Sequence, residues 1–317
     1  MKVIKIFSDG FRVSRKRERF KITLEGKKPV EIASNKIASF LIFGEGLFGS
    51  AALELAAEKG IPVIFAMKKL QRFYFLEPDM RLGEKSLEVD LILVERLKHI
   101  TRENELNNVA FRIISQYKNN ISYTLQELNI NLNQKIMEDQ EKNNDYGPTT
   151  ELQILEKDYF KLLADYTSLE IKALESKIQT FRQLLALEVV PVFIKHGVSV
   201  SHKIMPCKLE ISYPLAYQSI LDIYPVLVDF LSVKLIQQKK ISLLDNIHDS
   251  KLHEDLATFS RTLEYVLREE VNIPMRKNPL TLRELLHLQV RGVINALVNP
   301  FSIYKPVSQE VLKSLKF

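Results

Sequence analysis

Gly44, Gly46 and Gly49 spell G-x-G-x-x-G inside FLIFGEGLFGSAALELAAEKGIPVIF, which runs from Phe40 to Phe65. The stretch reads as strand, glycine turn, helix, strand, an arrangement that can cradle a pyrophosphate against a helix N-terminus. That chemistry also asks for an acid about twenty residues on, at the end of the second strand, to hold a ribose. The sequence there is Phe65, Ala66, Met67, Lys68, Lys69. A dinucleotide fold needs several βα units, and the chain offers one. The three glycines therefore read as turn residues, required where backbones approach closely or φ is positive.

Other reactive side chains are sparse. NIHDSKLHEDL (246–256) carries His248, Asp249, His253, Glu254 and Asp255. Its histidines stand five apart, and only four-residue spacing would bring both onto one helix face for zinc. The segment reads as a charged loop entering a helix. A single cysteine, Cys207, excludes an internal disulfide and a multi-cysteine zinc site, and fits a reducing cytoplasm. It reads as a small packed residue. No G-x-S-x-G and no P-loop occurs, which argues against hydrolase and NTPase chemistry.

The elements that must position any site divide in two. Seven of the ten glycines lie before residue 84, among short alternating stretches such as KVIKIF, RFKITLEG, PVEIA, SFLIF and PVIFA. These predict strands, with turns at Asp9-Gly10, Glu25-Gly26 and Lys59-Gly60 and one short helix over 50–58. Beyond Gly83 apolar residues recur at three- and four-residue spacing, which predicts helices to the C-terminus. Thr150 is expected to cap a helix over ELQILEKDYFKLLADY, and breaks fall near Gly197, Pro206, Asn246 and Pro274. The fold class is therefore α+β: a small, mostly-β, sandwich-like domain over 1–82, then a large all-α domain over 87–317. No apolar run is long enough to span a bilayer, and charge interrupts MKVIKIFSDGF too early for a signal peptide. A cytoplasmic protein with no membrane partner is expected.

The 317 residues carry a net charge of +6, and the pI is about 9.1. Residues 1–30 hold ten Lys/Arg against three acids. In FRVSRKRERFKITLEGKK the cations Arg12, Arg15, Lys16, Arg17 and Arg19 alternate with β-branched and aromatic residues. This is either a hairpin with a solvated charged face or a basic surface that meets phosphates.

The same residues carry a family resemblance. IASNKIASFLIFGEGLFGSAALELAAEKGIPVIFAMKK (32–69) resembles the N-terminal domain of the CRISPR-associated integrase and endonuclease family (Cas-one), where a strand ends in a glycine turn and a Ser begins a short helix. The upstream hairpin matches that family's habit of basic residues. FRIISQYKNNISYTLQEL, with Lys118 and Asn119–Asn120, resembles a helix of its second domain, and TLRELLHLQVRGVINALVNPFSIYKPV resembles its last one.

In that family a Glu, a His and an Asp, with further acids, hold magnesium or manganese, which activates an oxygen nucleophile and stabilises charge at phosphorus. GVSVSHKIMPCKLEISYPLAYQSILDIYPVLVDF (197–230) slides onto the family's His–Asp segment without gaps. The His then falls on Pro206, the Asp on Gln218, the following Glu on Leu221 and an Arg on Tyr224. The family's D-x-x-N-x-x-L-N-Y-G-Y appears as KALESKIQTFR (172–182). Glu151 is the best match for the first Glu, with Glu156 as second choice. On this register the metal positions are degenerate, and no cofactor is expected. A gapped register assembles instead a displaced site of Glu151, His202 and Asp222, with Glu151 and Asp222 as ligands of magnesium or manganese.

The resemblance implies a protein of CRISPR adaptation that binds double-stranded DNA through Arg12, Arg15, Lys16, Arg17, Arg19 and Lys118. It implies a dimer, with itself or with an intact paralogue, and a Cas-two-like partner. On the ungapped register the chain scaffolds integration without catalysing it; on the gapped one it is an active metal-dependent endonuclease and integrase. A regulator that binds DNA or another Cas protein is a third reading.

Overall fold

The computed structural model describes residues 2–66, 73–76, 107–130, 148–201, 203–205, 211, 213–241, 249–272, 278–299, 304 and 306. The expected domain boundary at 82–87 lies outside them, as do Pro206, Cys207, Asn246, His248 and Pro274.

The N-terminal part, residues 2–76, is two facing sheets. One has the order β1-β5-β7-β8, with β1 (Lys2–Ile6), β5 (Ile37–Ile42) and β7 (Val63–Ala66) parallel and β8 (Phe73–Leu76) antiparallel to β7. The other has the order β4-β3-β2-β6, from β2 (Phe11–Lys16), β3 (Arg19–Thr23), β4 (Val30–Ala33) and β6 (Gly46–Phe48). Alternation sorts their side chains. Phe11, Val13, Phe20 and Ile22 meet Ile6, Phe40, Ile42 and Val63 between the sheets, where Ala52, Leu55 and Ala56 of α1 (Ser50–Glu58) join them. Two inner faces closing over one core make the sandwich the period-two pattern predicts.

The glycine turn has a geometric cause. A Cβ on Gly44 would lie 2.2 Å from the carbonyl oxygen of Ser8, and one on Gly46 would lie 2.4 Å from the Phe11 ring. The turn's amides are already used: Gly44 N donates to Ile6 O, Gly49 N to Val13 O, and Glu45 N to the Asp9 carboxylate. They serve the sandwich, and no phosphate cradle remains among them.

The first sheet is covered on both faces. Leu41, Phe43, Ile64 and Ala66 point away from the sandwich into the core of the helical part. That part is built on α4 (Ile171–Lys195), in which Leu184–Val190 and Val192–Ile194 are all buried. A helix apolar on every side must be enclosed, and α2 (Asn107–Glu127), α3 (Pro148–Thr167), α6 (Phe230–Gln237), α7 (Asp249–Val266) and α8 (Leu282–Val298) enclose it with the sheet. Phe181 of α4 stacks on Phe259 of α7 with centroids 4.0 Å apart. The short helix α5 (Pro214–Gln218), a 3-10 turn (Leu221–Ile223) and a π turn (Pro225–Asp229) run into α6.

Two expectations need correction. Thr150 does not cap α3; the helix starts at Pro148, because proline at the first position supplies the helical φ and needs no donor. The helical part is also not purely helical: β9 (Glu270–Val271) and β10 (Leu280–Thr281) pair antiparallel before α8, whose start is fixed by a capping box between Thr281 and Glu284.

Candidate functional site

The segment expected to carry the chemistry is buried. Pro214, Leu215, Ala216, Tyr217 and Gln218 are all interior, and so is every residue from Leu221 to Asp229. Such a run must satisfy its polar atoms internally, and three side chains show how.

Gln218 is spent on backbone. Its Oε1 accepts from Ile204 N at 2.7 Å and from Met205 N at 3.2 Å, and its Nε2 donates to Met205 O at 2.7 Å. The amide thus closes the loop that follows α4 onto α5. Leu221, three residues on, packs in the apolar core.

Asp222 is fully buried. Its Oδ1 accepts from Gln289 Nε2 at 2.7 Å, and its backbone carbonyl accepts from Asn120 Nδ2 at 2.6 Å. Its Oδ2 and the Tyr304 hydroxyl are buried without a hydrogen-bond partner among the described residues. Burial pushes the carboxyl up to about 7, although the Gln289 bond works the other way.

Arg182 of α4 is the third. Its guanidinium grips Asp229 with Nε and Nη2 at 2.9 and 2.5 Å, and donates to Glu156 at 2.8 Å and to the Tyr117 hydroxyl at 3.0 Å. The same Glu156 oxygen also accepts from the Tyr117 hydroxyl at 3.0 Å. The rings of Tyr117, Phe160 and Tyr224 lie 5.1–5.8 Å from the guanidinium carbon. Both Arg182 and Asp229 have no exposed side-chain surface. Burial disfavours the cation, but the charge of Asp229 outweighs it and holds the guanidinium well above its ordinary value. Burial pushes the Tyr117 hydroxyl up as well.

On the ungapped register the family's Arg falls on Tyr224 and its last Tyr on Arg182. In this chain the Arg182 guanidinium carbon lies 5.4 Å from the centroid of the Tyr224 ring. A charge set in an apolar stretch was the available signal for Arg182 in TFRQLLAL and for Asp229 in YPVLVDFLSV.

The residues that the ungapped register sets at the metal positions are poor ligands for a hard divalent cation. Gln218 offers a neutral amide whose oxygen already accepts two bonds, and Leu221 offers nothing. Among the described residues no group of three or more His, Cys, Asp and Glu is placed to hold a metal. Of the displaced set, Asp222 lies among the described residues and is sealed in the core, while His202, the Pro206 position and the side chain of Glu151 lie outside the described residues. Glu156 is held by Arg182 and Tyr117. His196 lies exposed at the end of α4, where partial burial, Arg291 and Lys195 lower its imidazole.

The basic hairpin forms as expected, β2 pairing with β3 across a two-residue turn with Arg17 at φ 56°. Its cations part company. Arg15 is half-buried against α1, bonded to both Glu58 oxygens at 3.1 and 3.2 Å and within 3.7 Å of Glu54 and Glu18. Lys16 bonds Glu31 of β4. Arg12, Arg17 and Arg19 are exposed, and Lys118 lies on α2, in the helical part.

The family model for CRISPR associated protein Cas1 matches residues 4–157. No curated protein matches the sequence. Solved structures match over nearly the whole chain. A Cas1 protein from Thermotoga maritima gives a TM-score of 0.71 at 16% identity, covering 97% of this chain and 100% of that one. A casposase bound to its integration product gives 0.68 at 14%, covering 99% and 98%. A Cas6-RT-Cas1–Cas2 complex gives 0.73 at 14%, covering 98% of this chain and 36% of that one. At these identities the likeness is one of fold.

Proposed function

We propose that this protein binds double-stranded DNA in CRISPR adaptation and scaffolds integration without metal-dependent strand transfer of its own; residues 4–157 match the family model for CRISPR associated protein Cas1, and the chain shares the fold of solved Cas1 proteins. Solved relatives include a casposase bound to an integration product and a Cas1–Cas2 complex. By analogy this chain holds DNA as a dimer, with itself or an intact paralogue, beside a Cas2-type partner in the cytoplasm. No helix among the described residues is long and apolar enough to cross a membrane.

The observation that carries the non-catalytic part is the engagement of Gln218. On the ungapped register an amide stands at the family's Asp position, with both ends committed to the Ile204–Met205 backbone, and the next position, Leu221, is core. One carboxylate at Glu151 does not hold magnesium, which dehydrates reluctantly and wants several anionic oxygens.

The test uses the purified full chain with duplex and branched DNA, with magnesium or manganese. Binding without cleavage or strand transfer, unaltered by Glu151→Ala, is the expected result. Metal-dependent turnover abolished by Glu151→Ala, His202→Ala or Asp222→Ala would establish the displaced site and overturn the proposal. No DNA binding at all would overturn both and favour a protein-binding regulator.

A further inference from the structure

The outer face of the β4-β3-β2-β6 sheet follows from register and burial. Phe11, Val13, Phe20 and Ile22 point inward, so Arg12, Ser14, Lys16, Arg19, Lys21 and Thr23 point outward. The pairing sets Arg12 opposite Thr23, Ser14 opposite Lys21, and Lys16 opposite Arg19. Cations therefore occur at each step of one continuous row. From Arg12 to Lys16 the row spans about 13 Å at ~3.3 Å per residue, the axial rise of about four phosphates of one DNA strand. Glu31, opposite Lys21 on β4, is the acid on the three strands of this face. Lys16 holds its carboxyl below the usual range, and Arg19 and Lys21 add to this.

Arg15 is on the opposite side of the same strand. Its hydrogen bonds to Glu58 tie β2 to α1, and three carboxylates already surround it. A guanidinium so engaged neutralises its neighbours and adds little to attraction at a distance.

We infer that this sheet face, through Arg12, Arg19 and Lys21, is a surface that tracks the phosphate backbone of duplex DNA, and that Arg15 has no part in it. This rests on the DNA-binding reading above. Two features favour nucleic acid over a protein partner. The face carries an uninterrupted row of cations, and its apolar content is Leu47, beside Arg12 at the β6 edge, and the small Ala33, opposite Arg19 on β4. Protein interfaces have an apolar core depleted of charge.

The test measures duplex binding by the full chain against salt, by fluorescence anisotropy. If each of the three cations neutralises one phosphate, the Arg12→Gln, Arg19→Gln, Lys21→Gln protein loses about 2.7 from the slope of log affinity against log salt. Between about 50 and about 200 mM salt the affinity then falls about 40-fold less steeply than for the parent. Arg15→Gln leaves the slope unchanged and lowers the melting temperature. Lys21→Glu alone gives the same direction with one substitution, should the triple variant fold poorly. A parent that binds with a steep slope, and variants that keep it, overturn this inference alone. So does a triple variant that keeps its DNA slope but loses a Cas2-type protein. A parent that does not bind duplex DNA overturns the reading beneath it, and this inference with it.

Discussion

Replacing Arg182 by methionine removes the guanidinium and keeps most of the side-chain length. Asp229 then loses both of its bonds while remaining without exposed surface, and Glu156 and Tyr117 lose one each. Breaking a buried pair from one side costs about 3–5 kcal/mol, because the remaining charge is left uncompensated. At roughly 2.1 cal/mol/K per residue the chain's unfolding entropy is about 0.67 kcal/mol/K, so a loss of about 4 kcal/mol lowers the melting temperature by about 6 °C. The double variant Arg182→Met, Asp229→Leu should recover most of that loss, since hydrophobic replacement of a whole buried pair is often neutral. Calorimetry of the three proteins checks both steps. The parent's melting temperature should also stay within about 1 °C on adding magnesium, manganese or a chelator, because the cluster carries its own cation. A single variant as stable as the parent, or a double variant no better than the single, would refute the view that this ion cluster holds the helices together.

Further tests address the neighbours. Gln218→Leu strands two buried N–H groups and one carbonyl at Ile204 and Met205, and should cost about 2–4 kcal/mol in urea unfolding. Asp222 has a folded-state value of about 7, raised from 3.8. Below about pH 3 both states are protonated and the group is neutral in its effect. As pH rises the unfolded chain ionises first, so stability falls up to about pH 7 and then levels. Asp222→Asn should therefore match the parent at about pH 3 and exceed it above about pH 7, by up to about 4 kcal/mol. Equal stability at every pH would show that the buried carboxyl costs nothing.

The sandwich was legible because a buried strand face imposes strict alternation. SFLIF became β5 and PVIFA became β7, and α1 falls on 50–58 as the pattern predicts. The turn glycines were legible as close-approach residues, though Ser8 and Phe11 could not be named as what they approach. In the helical part, YPLAYQSILDIYPVLVDFLSV reads as one apolar stretch, yet it folds as α5, a 3-10 turn, a π turn and α6. Pro225 removes a donor there, and the interior position of every side chain hides any periodicity. The role of each basic residue was not legible. Arg15 and Arg12 look alike along the chain, and what separates them is Glu58, 43 residues from Arg15 and brought near by the packing of α1 on β2.

The sheet β1-β5-β7-β8 is sealed by residues made much later than itself. Leu41 and Ile64 are buried against helices, and the central one, α4, ends at Lys195. During synthesis the ribosome must add on the order of 130 residues after β7 before that cover exists, on the order of ten seconds at ~5–20 residues per second. For that interval an apolar sheet face stands open on the nascent chain. Slowing translation within 67–170 should raise the share of chains captured by chaperones or lost to aggregation, whereas the same delay placed after Lys195 should not.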